Sequence, residues 1–147
     1  MQGHCVFCRI IKGETSAHIV HENEKTLAFL DINPSAPGHT LIIPKVHLPK
    51  VEYLNAEYAE ALFRTLYRLI EPIQKAVKAP SSTIGINNGP ESGQEIPHVH
   101  IHVIPRFDGD RGGIIQGITR EKRRTDSSEM GLIAESIRRL VQDKENV

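Results

Sequence analysis

The sequence has no tryptophan, only two cysteines and no net charge. The two cysteines stand at positions 5 and 8, too few and too close together for a disulfide framework. Lys and Arg total 18 and Asp and Glu total 18, so no overall field attracts nucleic acid or an anionic membrane, and we expect neither as a partner. No apolar run approaches the ~18 residues of a membrane helix, and the first residues lack the pattern of a signal peptide. We therefore expect a cytoplasmic protein.

Short apolar runs bounded by turn residues predict a sheet. The run at 19–22 and the run at 26–31 flank an Asn-Glu-Lys turn and predict a hairpin, and the proline- and glycine-rich residues 33–38 predict a second turn. Further strands are predicted at 39–44, 82–88 and 98–105, and a short helix or knuckle at 5–12.

A change of period after Asn55 predicts a long helix. Apolar residues then recur at three- and four-residue steps, as on one face of a helix, and Asn55 is a suitable N-cap. Pro72 lies inside this run and predicts either a kink or a break into two helices. Residues 108–128 are polar and predict a mobile loop, whereas 132–141 predict an amphipathic helix.

These elements place the chain in the α+β class, with a mostly antiparallel sheet, one long helix and a C-terminal helix. The length of 147 residues predicts a single domain over 1–147. Its core would span about 5–106, followed by a C-terminal loop and helix at 107–147.

The strongest chemical signal is the run His98-Val99-His100-Ile101-His102. On a strand, alternate side chains point to opposite faces, so the three imidazoles would share one face. Polar positions of an ordinary half-buried strand, or one metal ion held by all three rings, are alternative interpretations. A neutral imidazole is a good nucleophile at physiological pH, and a covalent phosphohistidine divides one displacement into two. The pattern therefore favours phosphoryl-type transfer.

The histidine run, preceded by Gly93-Gln94, resembles the histidine-triad (HIT) family of nucleotide hydrolases and transferases, in particular its microbial branch. The segments 29–34 and 37–44 are similar to the nucleoside-binding part of that family. The resemblance covers roughly residues 5–106 and implies a HIT-like fold, a homodimer, and hydrolysis or transfer at the α-phosphate of a purine nucleotide, with an AMP- or GMP-type product.

The resemblance also implies roles for individual residues. His100 would attack the phosphorus and carry the nucleotidyl group, His102 would hydrogen-bond the phosphate or the bridging atom, and His39 would line the site. The implied nucleotide-binding residues are Phe29, Asp31, Ile32, Asn87, Gly93, Gln94 and Glu95. Core packing of Phe29 and turn positions for Asp31, His39 and Asn87 are the structural alternatives.

The spacing Cys5-x-x-Cys8 is ambiguous by itself, since it fits a metal knuckle, a redox pair or coincidence. By resemblance to zinc-containing branches of the family, His47 and His98 would complete a closed Cys/Cys/His/His site for a structural Zn2+. His4 is a competing ligand. Such a site would hold His98 apart from the chemistry.

Two features depart from the family pattern. Glu95 stands where several branches have a small hydroxyl residue, and it is either a general acid or a solvated rim residue. The absence of tryptophan removes the C-terminal signature of one phosphoramidase branch. A basic stretch fits either a solvated loop or a lid over a polyphosphate: Arg111, Arg120, Lys122, Arg123 and Arg124. A regulatory or scaffold protein that binds nucleotide and a zinc-dependent interaction module remain the rival functions.

Overall fold

The predicted strands assemble into one open sheet. The computed structural model describes residues 4–121 and 124–145, and its five antiparallel strands lie in the order β1-β2-β3-β5-β4. The strands are β1 Ile19–Glu22, β2 Thr26–Leu30, β3 Thr40–Pro44, β4 Ser81–Gly85 and β5 Ile101–Arg106. The helices are α1 Val6–Ile11, α2 Ala56–Val77 and α3 Ser127–Glu145. The predicted α+β class, with its long helix and C-terminal helix, is confirmed.

The two central strands β2 and β3 are buried on both faces. Leu27 and Phe29 pack on one face with the α1 segment, and Ala28 and Ile42 pack on the other with Leu62 of α2. Successive residues of a strand point to opposite faces, so a continuous apolar run is what a strand covered on both sides requires. The face opposite α2 is the one on which the chemistry-bearing side chains collect.

A buried polar contact joins the first hairpin to α2. The side-chain carbonyl of Asn23 accepts hydrogen bonds from the backbone N–H groups of Lys25 and Thr26 and closes the turn between β1 and β2. The Thr26 and Thr65 hydroxyls lie 2.8 Å apart, so both buried groups are satisfied. This contact holds α2 against the sheet.

Helix α2 is continuous through Pro72, so the chain forms one helix of 22 residues rather than two. The predicted N-cap is confirmed, since the Asn55 side chain accepts a hydrogen bond of 2.9 Å from the backbone N–H of Tyr58. Leu62, Thr65 and Ile73 are buried on its sheet-facing side.

Several predicted strand bounds are wrong. The strand predicted at 98–105 begins at Ile101, because Pro97 has no N–H, His98 donates to the Ile96 carbonyl and Val99 donates to Leu48 instead of to the β3 ladder. The strand predicted at 82–88 is Ser81–Gly85 and ends before Asn87. The strands predicted at 26–31 and 39–44 end at Leu30 and begin at Thr40. Within the predicted loop 108–128, a short 3-10 turn forms at Ile115–Gly117, and α3 begins at Ser127.

The chain divides into two compact units, the first ending at Gly112 and the second beginning at Gly113. The first contains the sheet, α1 and α2. The second contains α3, whose side chains are exposed or half-buried. Of the predicted basic stretch, Lys122 and Arg123 lie outside the described residues. Along 4–121 and 124–145, no helix combines the length and the apolar character that crossing a bilayer requires.

Candidate active site and metal centre

A cavity of about 670 Å³ opens on the face of the sheet that α2 leaves free. It lies between the α1 segment, the end of β2, and the stretch that leads into β5. Nine of the residues proposed from the sequence line it: Phe29, Asp31, Ile32, His39, Asn87, Gly93, Glu95, His100 and His102. The topology thus brings together side chains from four separate parts of the chain.

The ring of His100 is held in one tautomer by the backbone. Its Nδ1 lies 2.7 Å from the carbonyl oxygen of His98, and because a carbonyl only accepts, Nδ1 carries the proton. In the neutral ring the lone pair is then on Nε2. That atom has no hydrogen-bond partner among residues 4–121 and 124–145, and the ring lines the cavity although the residue is only 6% exposed. This is the state a nitrogen nucleophile requires.

His39 and His102 form a hydrogen-bonded pair beside His100. The backbone N–H of Ser35 donates to Nδ1 of His39 at 3.0 Å, so Nδ1 is an acceptor and the proton of the neutral ring is on Nε2. That proton points to Nδ1 of His102, 2.9 Å away. Nδ1 of His102 therefore accepts, and its own proton is on Nε2.

Burial keeps this pair uncharged. Desolvation lowers the pKa of His39, and the Asp31 carboxylate offsets only part of that effect. Desolvation, together with the neighbouring His100 and His39, lowers the pKa of His102 to about 4. At neutral pH His102 therefore presents an Nε2–H donor, and that nitrogen is buried with no partner in the described structure. An unpaired buried donor is unfavourable, and an incoming oxygen would satisfy it.

Asp31 follows β2 directly and is fixed by the turn that it enters. Its Oδ1 accepts from the backbone N–H of Asn33 at 2.8 Å, and its Oδ2 lies 3.6 Å from Nε2 of His39. The carboxylate thus stands next to the histidine pair. Phe29 forms an apolar wall at 3% exposure, whereas Ile32 projects at the rim with 91% exposure.

Gln94 is the one proposed nucleotide-binding residue that does not line the cavity. Its side chain accepts from the backbone N–H of Gly89 and donates to the Pro49 carbonyl, at 2.9 and 2.7 Å. It fastens the 89–94 loop to the segment before α2. Gly93 in the same loop has φ +90°, a conformation that favours glycine, and lines the cavity with Glu95.

A second cluster lies beside the cavity and is made of Cys5, Cys8, His47 and His98. The Nδ1 of His98 is 3.6 Å from the Cys5 sulfur and 3.7 Å from the Cys8 sulfur, and Nδ1 of His47 is 3.3 Å from the Cys8 sulfur. A tetrahedral zinc with Zn–S of about 2.3 Å and Zn–N of about 2.0–2.1 Å separates S and N ligands by about 3.6 Å. The four donors therefore have the spacing of a closed metal site.

The protonation of this cluster also fits a metal. Nε2 of His98 donates to the Pro44 carbonyl at 2.8 Å, which leaves the lone pair of Nδ1 directed at the sulfurs, as in metal-bound histidines. Burial and the neighbouring Cys5 raise the pKa of the Cys8 thiol to about 11. A buried thiol without a nearby cation is unfavourable as a thiolate, and a bound cation reverses that preference.

The three histidines do not act as one set of ligands. As predicted, their rings lie on one face, because Val99 and Ile101 pack on the α2 side and the Phe7 ring on the other side contacts the rings of His98 and His100. Only His102, however, belongs to β5. His98 turns to the cysteines, whereas His100 and His102 face the cavity. Among the described residues, no set of side chains with the spacing of metal ligands contains all three rings, and no such set contains His4.

Sequence reasoning missed Phe7, which lines the cavity and contacts both centres. Its ring meets the rings of His100 and Phe29 edge-on, with centroids 5.2 and 5.5 Å apart. Its position between the two cysteines was a usable signal, because a metal that fixes both cysteines also fixes the residue between them. Ser35 was missed as well, and a backbone donor leaves no signal in the sequence.

Comparisons with known proteins show which proteins this chain is similar to. The family model described as the HIT domain matches residues 12–109. The chain is 42% identical over 106 residues to an uncharacterised HIT-like protein of Methanocaldococcus jannaschii, covering 72% of this chain and 81% of that protein. It is 38% identical over 127 residues to the adenosine 5'-monophosphoramidase of Saccharomyces cerevisiae, covering 86% and 76%. It is 35% identical over 134 residues to an adenylylsulfatase of Arabidopsis thaliana, covering 91% and 68%.

Solved structures share the fold. A protein of Streptococcus mutans superposes with a TM-score of 0.85 at 34% identity, covering 95% of this chain and 86% of that one. A zinc-bound histidine triad family protein of Mycobacterium smegmatis superposes with a TM-score of 0.71 at 28% identity, covering 97% and 99%.

Proposed function

We propose a function from one premise: this chain belongs to the HIT domain family. It is a nucleotide hydrolase or transferase that cleaves a phosphoanhydride or phosphoramidate bond at the α-phosphate of a purine nucleotide, through a covalent nucleotidyl intermediate on His100. The observation that carries this proposal is the tautomer of His100, whose Nδ1–H is bound to the His98 carbonyl so that Nε2 has the free lone pair. Relatives named as a phosphoramidase and an adenylylsulfatase support the general class of reaction.

The first step is in-line attack. Nε2 of His100 forms a bond to the α-phosphorus, and the bond from phosphorus to the leaving group breaks with its electron pair. The ring becomes a cationic phosphoimidazole whose Nδ1–H stays on the His98 carbonyl, which stabilises the developing charge. The unpaired Nε2–H of His102 donates to a phosphate oxygen or the bridging atom. Water then attacks the same phosphorus and loses one proton to solvent, the N–P bond breaks with its electron pair returning to Nε2 of His100, and the nucleoside monophosphate leaves.

Other residues of the cavity would bind and orient the nucleotide. The Asp31 carboxylate suits the two hydroxyls of a ribose, since an ionised acceptor makes strong hydrogen bonds. Phe29 and Ile32 would enclose the base from the buried and the exposed side. Asn87, Gly93 and Glu95 would lie near the phosphates, and His39 holds His102 in its donor tautomer.

We further propose that the cysteine cluster binds a structural Zn2+. The closed set of two thiolates and two imidazoles supplies no position for a reacting water, so the ion would stabilise the fold and not the reaction. The ion would link α1 to His98, the residue whose carbonyl orients His100. The zinc-bound structure of the related Mycobacterium smegmatis protein supports a metal in this family. Metal analysis of purified wild type is expected to give one zinc per chain, and Cys8→Ser is expected to lose it.

The decisive experiment is to trap the intermediate. Acid quench and peptide mass spectrometry of a reaction with an adenylyl substrate should locate an AMP adduct on His100. His100→Ala should lose turnover by about three or more orders of magnitude and still bind AMP, whereas His21→Ala, a β1 histidine outside the cavity, should retain turnover. Absence of the adduct, or normal turnover by His100→Ala, would instead favour a nucleotide-binding scaffold.

We also propose a homodimer, as the family resemblance implies. Helix α2 exposes Phe63 and Tyr67, the latter at 81%, and exposed aromatic residues on a helix commonly mark an interface. Light scattering is expected to give twice the chain mass, and Tyr67→Glu should shift the equilibrium to monomer. A monomeric wild type at high concentration would contradict this.

A further inference from the structure

Two buried side-chain atoms have no hydrogen-bond partner within residues 4–121 and 124–145: Nε2 of His102 and Oγ1 of Thr15. Both residues line the same cavity. Nearly all buried polar groups in folded proteins are paired, and each exception is unfavourable. The proposed function places a phosphate at the His102 nitrogen but gives the Thr15 hydroxyl no role. A ligand that fills the whole cavity would satisfy both atoms.

The turn that follows α1 fixes Thr15 in the cavity wall. Gly13 adopts φ +74°, which ends the helix and reverses the chain. The backbone N–H groups of Glu14 and Thr15 then donate to the Arg9 carbonyl, at 2.8 and 3.3 Å. Thr15 is half-buried, and rotation about its Cα–Cβ bond exchanges the hydroxyl with the methyl group. The hydroxyl therefore turns toward a bound ligand without any change in the main chain.

Thr15 and His102 lie toward opposite sides of the sheet. The strand register sets Ile19 opposite Phe29, Phe29 opposite Leu41, and Leu41 opposite His102. This row crosses four strands, so its ends are about 14 Å apart at the usual strand spacing. Thr15 precedes Ile19 by four residues and belongs to the β1 side, whereas His102 belongs to the β5 side. One ligand that meets both atoms has to be elongated.

The base of a nucleotide would reach the Thr15 side. With its phosphate at His102 and its ribose at Asp31, the nucleotide extends its base along Phe29. The purine edge that is farthest from the ribose carries N1 and the group at C6. Ile10 and Ala17 pack against the Phe29 cluster and make this part of the wall apolar. A hydroxyl in such a wall is the group that distinguishes a polar base edge from an apolar one.

We propose that the Thr15 hydroxyl hydrogen-bonds the N1/C6 edge of the purine and determines the base specificity of the site. The inference rests on the proposed function, because it requires a nucleotide whose phosphate lies at His102. A hydroxyl accepts from a 6-amino group and donates to a 6-oxo group, so adenine and hypoxanthine nucleotides bind alike. A base of the same shape without polar atoms on that edge leaves Thr15 unpaired and binds more weakly.

The test compares AMP with the 5'-monophosphate of benzimidazole riboside, which keeps the ribose, the phosphate and the ring shape but lacks the polar edge. Calorimetry on the full chain should give wild type a Kd for AMP that is roughly 5- to 100-fold lower, as expected for one buried hydrogen bond. Thr15→Val has nearly the same shape and should reduce this ratio at least about fivefold. Thr15→Ser should keep the ratio.

Ser16→Ala is the matched control, because it removes an exposed hydroxyl from the next residue that lines the cavity. The ratio should be unchanged in this variant. Equal affinity of wild type for the two nucleotides overturns the inference, and so does a ratio that persists in Thr15→Val. A ratio that is lost in Ser16→Ala instead overturns it by assigning the contact to Ser16.

A second measurement uses the protein without ligand. Thr15→Val removes an unpaired buried hydroxyl and should move the midpoint of urea unfolding to a higher concentration. Thr65→Val removes a hydroxyl that is paired with Thr26 at 2.8 Å and should move the midpoint to a lower one. If both midpoints fall, the Thr15 hydroxyl is already bonded in the free protein, which overturns the inference.

Failure of the proposed function is separately visible. If wild type binds neither nucleotide, the proposed function itself is wrong. If the Thr15-dependent ratio is found but no adduct forms on His100, the reaction is wrong and the assignment of Thr15 is supported. If the adduct forms and the ratio does not depend on Thr15, only the inference about Thr15 is wrong.

Discussion

Replacement of His39 by Gln and by Asn separates its two hydrogen bonds. The Gln amide nitrogen reaches the position of Nε2 and keeps the donor to His102, while the Asn oxygen replaces Nδ1 and keeps the acceptor for the Ser35 N–H. In the structure these bonds are 2.9 and 3.0 Å long, and the residue is 4% exposed. If His39 acts by holding the His102 tautomer, the Gln variant retains more activity than the Asn variant.

The size of the difference follows from the burial of the pair. Leaving a buried acceptor without its donor costs about 1–3 kcal/mol, which corresponds to roughly a 5- to 150-fold lower kcat for His39→Asn than for His39→Gln. The measurement is single-turnover cleavage of an adenylyl substrate at saturating enzyme, with AMP affinity measured in parallel. Equal kcat values, or a slower Gln variant, would refute the role of His39 as the donor that orients His102.

Three further predictions concern stability and protonation. Gly38→Ala places a Cβ 2.8 Å from Val77 Cγ1 at a φ of +82°, whereas Gly13→Ala at a φ of +74° meets no atom within 4 Å. Denaturant unfolding should therefore show that Gly13→Ala lowers the free energy of unfolding by about 1 kcal/mol, and Gly38→Ala by about 1–3 kcal/mol more. Equal losses would contradict the contact with Val77. Asn55→Ala removes the N-cap of α2 and should lower the free energy of unfolding by about 1 kcal/mol, with Asn55→Asp as the control that retains it. His102 should titrate by NMR near pH 4, and a midpoint near 6.5 would contradict the buried pair. Since the unfolded state binds more protons between about 4 and 6.5, the free energy of unfolding should rise as the pH increases across that window, by at most about 3 kcal/mol from this group.

The sequence predicted the elements whose periodicity is set by burial. The apolar run of β2 and β3 and the three- and four-residue steps of α2 follow from covering a sheet on both faces, and both appear as expected. Pro72 could not be decided from the sequence. A helix tolerates a proline when packing holds it, and Ile73 beside it is buried against the core.

The register of the histidine run could not be predicted, because alternation alone does not show where a ladder ends. His98, His100 and His102 alternate as they would on a strand, yet β5 begins only at Ile101. Pro97 has no N–H, and the N–H groups of residues 98 and 99 donate to Ile96 and Leu48 instead of to a neighbouring strand. The division of the three rings between two centres depends on long-range contacts to Cys5 and His39. The single domain over 1–147, the cytoplasmic location, the dimer and the roles of the site residues stay predictions.

His98 affects how substitutions in this region must be interpreted. Its ring belongs to the cysteine cluster, while its carbonyl orients His100. An alanine at this position deletes the ring and keeps the carbonyl, so any loss of turnover would report a shifted main chain and not a missing reactant. An amide-to-ester replacement of the bond that follows residue 98 would weaken that carbonyl as an acceptor and leave all four ligand side chains in place, and a second ester at a distant position of the loop would control for the Val99 N–H, the donor to Leu48, that it also removes.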